Sequence, residues 1–156
     1  MNPSTTSTTA AASTPGSLGV LLRLLHQQFA GAVDDALAEA GFGDVRAAHA
    51  SVFTFVPPEG MPVSELTQLA HVRKQSMAQT VDELEKLGYV ERRPSPTDKR
   101  SRLVFLTARG QQIRPLAMAA GSRTEVQWAA LVGPGELDAV KEGLARLLGR
   151  LQSGAE

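Results

Sequence analysis

Cysteine is absent from the 156-residue chain. This excludes disulfides, iron–sulfur clusters, thiolate zinc sites and sensing by thiol oxidation. The three histidines, His26, His49 and His71, lie far apart without the spacing of metal ligands, so we expect no metal and no other cofactor. The sequence also lacks an apolar run of the roughly 18 residues that cross a bilayer. Residues 1–16 lack the lysine or arginine of a secretory signal. We therefore predict a cytoplasmic protein without a membrane partner.

Net charge is zero, because 16 basic side chains balance 16 acidic ones, but the two signs are unevenly distributed. Residues 91–114 carry seven basic and two acidic side chains. A local patch of this kind can bind phosphates on a neutral molecule. A solvated hairpin face explains the same charges, and charge alone leaves both interpretations open.

Catalytic patterns are missing as well. The sequence shows no nucleophile beside a base, no phosphate-binding glycine loop and no cluster of metal ligands. We therefore expect a protein that is not an enzyme.

The chain divides into a tail and one domain. Residues 1–16 are rich in Ser, Thr, Ala and Pro and predict a disordered tail. Residues 17–156 predict a single domain that opens with an amphipathic helix ending before Gly41 and Gly43. A second helix is expected at about 46–55, ended by two prolines.

The middle of the domain predicts a winged helix-turn-helix between about Met61 and Thr107. A short helix at 63–70, a turn at 71–73 and a helix at 74–87 precede strands at 89–93 and 101–106, which enclose a loop. Thr107 can cap one long helix to about Val132, with a kink at Pro115, and a last helix with an apolar stripe follows Gly133. The predicted fold is mainly α-helical with a small β-hairpin wing.

The helix at 74–87 has a face suited to reading DNA. Its apolar side carries Met77, Val81 and Leu84, and Gln75, Ser76 and Gln79 lie on the other side. A glutamine amide can pair with the N7 and N6 atoms of adenine in the major groove. The alternative is an ordinary solvent-facing surface, which the neighbouring basic hairpin disfavours.

The residues around this helix are suited to the DNA backbone. Arg73 and Lys74, at the helix start, can bind phosphate. The acidic residues after Val81 should leave the groove, because carboxylates repel phosphates.

The sequence from Lys74 to Gly110 resembles the MarR family of bacterial transcription regulators. The matching pieces are DELEKLGYVERR at Asp82–Arg93, the D-x-R pattern at Asp98 and Arg100, and LTARG at Leu106–Gly110. The resemblance implies a homodimer built by residues 17–40 and 108–152, with the helix of each lobe in a major groove and its wing at a minor groove. Its partner would be double-stranded DNA with a pseudo-palindromic operator.

The resemblance also implies roles for the wing residues. Arg100 matches the family arginine that enters the minor groove, and Asp98 matches an aspartate that orients the wing. Phosphate contacts are expected from Arg92, Arg93, Lys99 and Arg102. Two positions depart from the family pattern: Arg73 stands where Ser or Thr often caps the helix, and Gln79 stands where many relatives carry Arg. Base preferences of relatives therefore do not transfer.

Many members of the family release DNA when a small aromatic or phenolic ligand binds beside the lobe, so we expect a repressor released by such an effector. The candidate pocket residues are His26, Phe29, His49, Phe53, Met118 and Trp128. Core packing explains Phe29 and Phe53 equally well, and Trp128 can anchor the dimer. The alternative function is a winged-helix protein-interaction module without specific DNA binding.

Overall fold

The computed structural model describes residues 16–96, 98 and 101–154. In these residues the elements follow the order α1 (Leu18–Glu39), a 3-10 turn (Ala47–His49), α2 (Ala50–Phe55), β1 (Met61–Pro62), α3 (Val63–Ala70), α4 (Lys74–Lys86), β2 (Val90–Pro94), β3 (Arg102–Leu106), α5 (Ala108–Gln111), α6 (Ile113–Val132) and α7 (Pro134–Ser153). The predicted fold class, mainly helical with a small β wing, is confirmed. The predicted tail lies outside the described residues, except for Gly16.

The core of the protein lies in the winged-helix lobe. Met77, Val81 and Leu84 of α4 are buried, as their spacing predicts, and pack with Leu66 of α3 and Tyr89. Because side chains three and four positions apart share one helix face, burying this stripe turns the rest of α4 outward.

The sheet has three antiparallel strands in the order β1-β3-β2, one more than the sequence predicts. The added strand β1 is two residues long and pairs Met61 with Val104 and Pro62 with Leu103. Two residues are too few to show an alternating pattern, so the sequence does not signal β1. Val104 is fully buried and forms the inward face of β3.

The long helix predicted from Thr107 to about Val132 is two helices, with a break at Gln112 rather than at Pro115. Pro115 has no N–H for the carbonyl of Gln111 four residues earlier, and its ring crowds that carbonyl. The chain therefore ends α5 at Gln111 and restarts as α6, so that Pro115 falls in the first turn.

Thr107 caps α5 as predicted and also ties it to the end of α4. Its hydroxyl accepts the N–H of Gly110 at 3.1 Å and donates to the carbonyl of Gly88 at 2.7 Å. A Cβ on Gly110 would lie 2.1 Å from the Tyr89 carbonyl oxygen. The TARG sequence thus lets α5 approach the start of β2 closely.

The outer helices bury far less apolar surface than the lobe. Helix α1 packs on α6, and α6 packs on α7. In the first half of α1, Leu18, Leu22 and Leu25 are exposed, and α7 exposes Val140, Leu144, Leu147, Leu148 and Leu151. In the described part of the chain, every helix is too short or too polar to cross a membrane.

Candidate nucleic-acid interface

A left-handed residue between α3 and α4 sets the direction of the candidate recognition helix. Helix α3 ends at His71, whose φ is 51°. The N–H of His71 donates to the Gln68 carbonyl and the N–H of Val72 to the Thr67 carbonyl, at 3.2 and 3.4 Å. These bonds satisfy the last carbonyls of α3 and reverse the chain within three residues.

The outward face of α4 presents the three predicted base-reading residues together. Gln75, Ser76 and Gln79 are all exposed and lie opposite the buried stripe. Arg73 occupies the N-cap position, is exposed, and makes no side-chain cap hydrogen bond. Lys74 is exposed beside it. The N-terminal end of α4 therefore carries two cations and two amides on an open surface.

The acidic end of α4 binds the wing. The guanidinium of Arg92 contacts Asp82 and Glu85, each at 2.5 Å, and the Arg92 main-chain N–H donates to Glu85 at 3.1 Å. Burial by itself lowers the pKa of Arg92, but the hydrogen bonds that its guanidinium donates to both carboxylates outweigh this effect and raise the pKa above its ordinary value. This geometry favours a structural role for Arg92, whose phosphate contact stays a prediction.

The two other described wing arginines lie on open surface. Arg93 stacks over the ring of Phe105, with its central carbon 5.0 Å from the ring centroid, and pairs with Glu91. Arg102 is exposed at the start of β3. In the hairpin register Pro94 lies opposite Arg102, so both arginines are near the tip of the described strands.

The loop that joins the two wing strands is described only in part. The Ser95 N–H donates to the Ser101 carbonyl, and the Ser101 N–H donates to the Asp98 carbonyl, at 2.8 and 2.9 Å. The Asp98 N–H in turn approaches the Ser95 hydroxyl at 3.4 Å. Asp98 thus belongs to the turn that closes the hairpin. The predicted DNA contacts Lys99 and Arg100 lie outside the described residues.

A partly buried polar cluster, which no sequence pattern predicts, fastens the base of the wing. Tyr89 is fully buried, its hydroxyl donates to Asp44, and Arg109 donates to that hydroxyl at 2.9 Å and to Asp44 at 3.1 Å. Burial, followed by the hydrogen bond to Asp44, raises the pKa of Tyr89 against the opposing effect of Arg109. Arg109 lies within the LTARG motif, but nothing local indicates Asp44 as its partner.

An apolar cleft lies between the outer helices and the lobe. It comprises two adjoining cavities of about 360 and 480 Å³. Both are lined by α1, the 3-10 turn with α2, and α6 through the shared residues Val33, Asp34, Ala47, Ala50, Ala117 and Met118. These volumes are in the range of small-molecule sites.

The structure brings together four of the six predicted pocket residues. Phe53 and Met118 line the inner cavity, and His26, Phe29 and Met118 line the outer one. Trp128 instead lines a groove between α1, α6 and α7 that adjoins the outer cavity, and its ring packs edge-on against Phe29 at 6.1 Å. His49 lies outside both cavities.

His49 connects the wall of the cleft to the candidate recognition helix. It is buried, and its Nδ1 accepts the main-chain N–H of Arg46 at 3.1 Å. A hydrogen on Nε2 therefore faces Glu83 of α4, whose carboxylate lies 3.4 Å away. Arg46, which lines the inner cavity, approaches the same carboxylate at 4.0 Å. The segment at 46–50 thus contacts both the cleft and α4.

The family assignment follows from the winged-helix segment. A family profile described as MarR family matches residues 46–101, the segment that holds α2, α3, α4 and β2, the first strand of the wing. Over this segment the chain is similar to the MarR family, which confirms the predicted resemblance. A comparison with curated protein sequences finds no match.

Solved structures of MarR-family regulators share the fold over most of the chain. Apo MarR from E. coli is 25% identical, with a TM-score of 0.69 over 85% of this chain and 97% of that one. CouR from Rhodococcus jostii RHA1 bound to p-coumaroyl-CoA is 24% identical, with a TM-score of 0.65 over 85% and 92%. The transcriptional repressor CouR bound to a 23-mer DNA duplex is 24% identical, with a TM-score of 0.68 over the same shares.

Proposed function

We propose that the protein is a homodimeric transcription regulator that binds a specific double-stranded DNA operator and represses transcription until a small aromatic effector releases it. The observation that carries the proposal is the exposed row Gln75, Ser76 and Gln79 on α4. A good bidentate amide–adenine pair discriminates between bases by ~1–3 kcal/mol, and two glutamines one helical turn apart can read adjacent base pairs.

The charges around this row fit a DNA backbone. Arg73 and Lys74 lie exposed at the positive end of the α4 dipole, where phosphate is favoured. We assign phosphate contacts to Arg93, Lys99 and Arg102 and minor-groove insertion to Arg100. A narrow groove concentrates negative potential and so favours arginine. DNA-bound CouR shares this fold, which supports the orientation.

The exposed apolar faces of α1 and α7 support the proposal of a homodimer. The exposed leucines of α7 form one stripe along the helix, and a groove lined by α1, α6 and α7 lies beside it. Monomeric proteins rarely expose contiguous apolar patches larger than a few hundred Å², so this surface fits a second copy of the chain. Two copies then present two α4 helices to a two-fold symmetric operator.

The cleft supports the proposal that a small effector binds the protein. CouR, which shares the fold, is known bound to p-coumaroyl-CoA. In this chain a ligand in the cleft contacts Ala47 and Ala50, whose segment also holds Glu83 of α4 through His49. Displacement of that segment would turn α4 and weaken DNA binding.

The test is selection of bound duplexes from a random pool, followed by anisotropy titrations of the selected site. We expect an inverted repeat with half-sites roughly one helical turn apart. Gln75→Ala and Gln79→Ala should each relax base preference at one position per half-site by ~1–3 kcal/mol. The matched control is Gln127→Ala, an exposed glutamine on α6, which should leave preference unchanged.

Two results would contradict the proposal. A folded dimer that shows no preference among duplexes near physiological ionic strength would indicate a protein-interaction module instead. Unchanged affinity and salt dependence in Arg73→Ser would remove the phosphate role of Arg73, because each neutralised phosphate adds about 0.9 to the salt slope.

A further inference from the structure

One carboxylate of the cleft has no partner among the residues that the structure describes. Asp34 of α1 is half-buried and lines both cavities. Among the described residues, no hydrogen bond or ion pair reaches its side chain. Most of the surface around it is apolar, and a carboxylate in such surroundings gains free energy from a cation or a hydrogen-bond donor.

The two arginines that line the inner cavity contact groups other than Asp34. Arg114 donates to the main-chain carbonyls of Phe53, Thr54 and Val56 at 2.8, 3.1 and 3.0 Å, and so caps the end of α2. Arg46 is directed toward Glu83 and has a side chain 74% exposed. Neither of these arginines supplies the hydrogen bonds that Asp34 lacks.

The second carboxylate of the cleft differs from Asp34 in this respect. Glu125 lines the outer cavity and accepts a hydrogen bond from Lys141 at 2.5 Å. Its charge is thus compensated within the chain. Of these two carboxylates, Asp34 is the one without a partner among the described residues.

Aromatic rings complete the environment around this carboxylate. Phe53 lines the inner cavity and Phe29 the outer one, and Asp34 lines both. A cation near an aromatic face is attracted by the ring quadrupole, and more strongly so where water is excluded. The cleft therefore combines an anionic acceptor, aromatic surface and an apolar body.

We propose that the cleft binds an aromatic cation, whose ammonium or amidinium group donates to Asp34 while its rings pack against Phe29, Phe53 and Met118. This rests on the proposed effector function and names the chemical class of the ligand. An aromatic acid would instead bring a second negative charge close to Asp34, and like charges repel.

The test is calorimetric titration of the dimeric full-length protein with three probes of matched shape: 2-(1-naphthyl)ethylammonium, 3-(1-naphthyl)propionate and the neutral 3-(1-naphthyl)propanamide. We expect the cation to bind about tenfold or more tightly than the anion, as charge-assisted hydrogen bonds imply. Asp34→Asn should remove most of that difference. The matched control Asp35→Asn, one position along α1 and exposed, should preserve it and leave duplex binding unchanged.

The remaining outcomes separate the ligand class from the function. Tighter binding of the propionate would overturn the cation assignment and leave an effector cleft in place. A preference for the cation that survives Asp34→Asn would overturn the role of Asp34. Failure of all three probes to bind would overturn both the assignment and the effector part of the proposed function, while duplex selection still decides DNA binding independently.

Discussion

The winged-helix lobe and the outer helices treat their apolar side chains in opposite ways. Apart from Leu37 of α1 and Ile113 of α6, the residues of the main core cluster lie between Val45 and Val104, and the described residues of α7 include none that is buried. The lobe thus completes a core within one chain, since its helices and sheet enclose each other. The outer helices repeat leucines at helical spacing without burying them. This pattern is typical of an apolar helix face that packs against a second surface.

The same contrast holds for charge within the wing. Arg92 has a side chain 21% exposed and binds two carboxylates of α4, whereas Arg102 lies exposed on the next strand. Two arginines that the sequence does not distinguish therefore lie in different environments. The first joins the wing to α4, and the second is available to a partner.

The strongest test of this difference removes one leucine from the winged-helix lobe and one from the outer helices. Leu84→Ala, at a fully buried position, should lower the free energy of unfolding by about 3 kcal/mol, because it leaves a cavity in a packed core. Leu148→Ala, at a position 56% exposed, should change it by less than about 1 kcal/mol in dilute monomer. Urea denaturation measures both. Equal losses would mean that α7 is buried within one chain.

The second test concerns association instead of folding. Leu148→Lys places a charge on the apolar stripe and should weaken the dimer by about 2 kcal/mol, or roughly 30-fold in dissociation constant. Sedimentation velocity over a dilution series measures this. Ala139→Lys adds the same charge to an exposed position of α7 off the stripe and should leave association unchanged. A similar loss in both variants would indicate that charge, rather than the stripe, controls the dimer.

The smallest expected effect separates the two wing arginines. Arg92→Gln should lower the free energy of unfolding by about 1 kcal/mol, since its partners are solvent-exposed, and leave the salt slope of duplex binding unchanged. Arg102→Gln should reduce that slope by about 0.9 for the phosphate lost and leave unfolding unchanged. Denaturation and anisotropy at several salt concentrations measure the two quantities. The reverse pattern would show that Arg92 leaves its carboxylates to bind DNA.

Local pattern was sufficient for most of the lobe. The spacing of Met77, Val81 and Leu84 predicted both the helix and its outward row, since a helical period places such residues on one face. Thr107 predicted a helix start by its capping chemistry. Pro115 does disrupt the helix, but the predicted position of the break was wrong by three residues, because the carbonyl that Pro115 leaves without a hydrogen bond belongs to Gln111.

The sequence did not predict which side chains on different elements bind each other. The acidic residues Asp82 and Glu85 were expected only to avoid phosphate, and they bind Arg92 on the strand that follows α4. His49 was expected in the pocket, and it lies behind the wall against Glu83. Such pairs depend on how elements are packed, which the residue types do not specify.

The sequence by itself determined where most of the helices, the turn and the two long wing strands lie and which face of α4 points outward, because these follow from periodicity, capping and chain stiffness over a few residues. Only the tertiary structure decided which charges are neutralised and which stay open. Asp44 meets Arg109 across 65 positions, and Asp34 faces a cleft whose walls come from three separate segments. Contacts between distant segments arise from packing, and no local pattern encodes them.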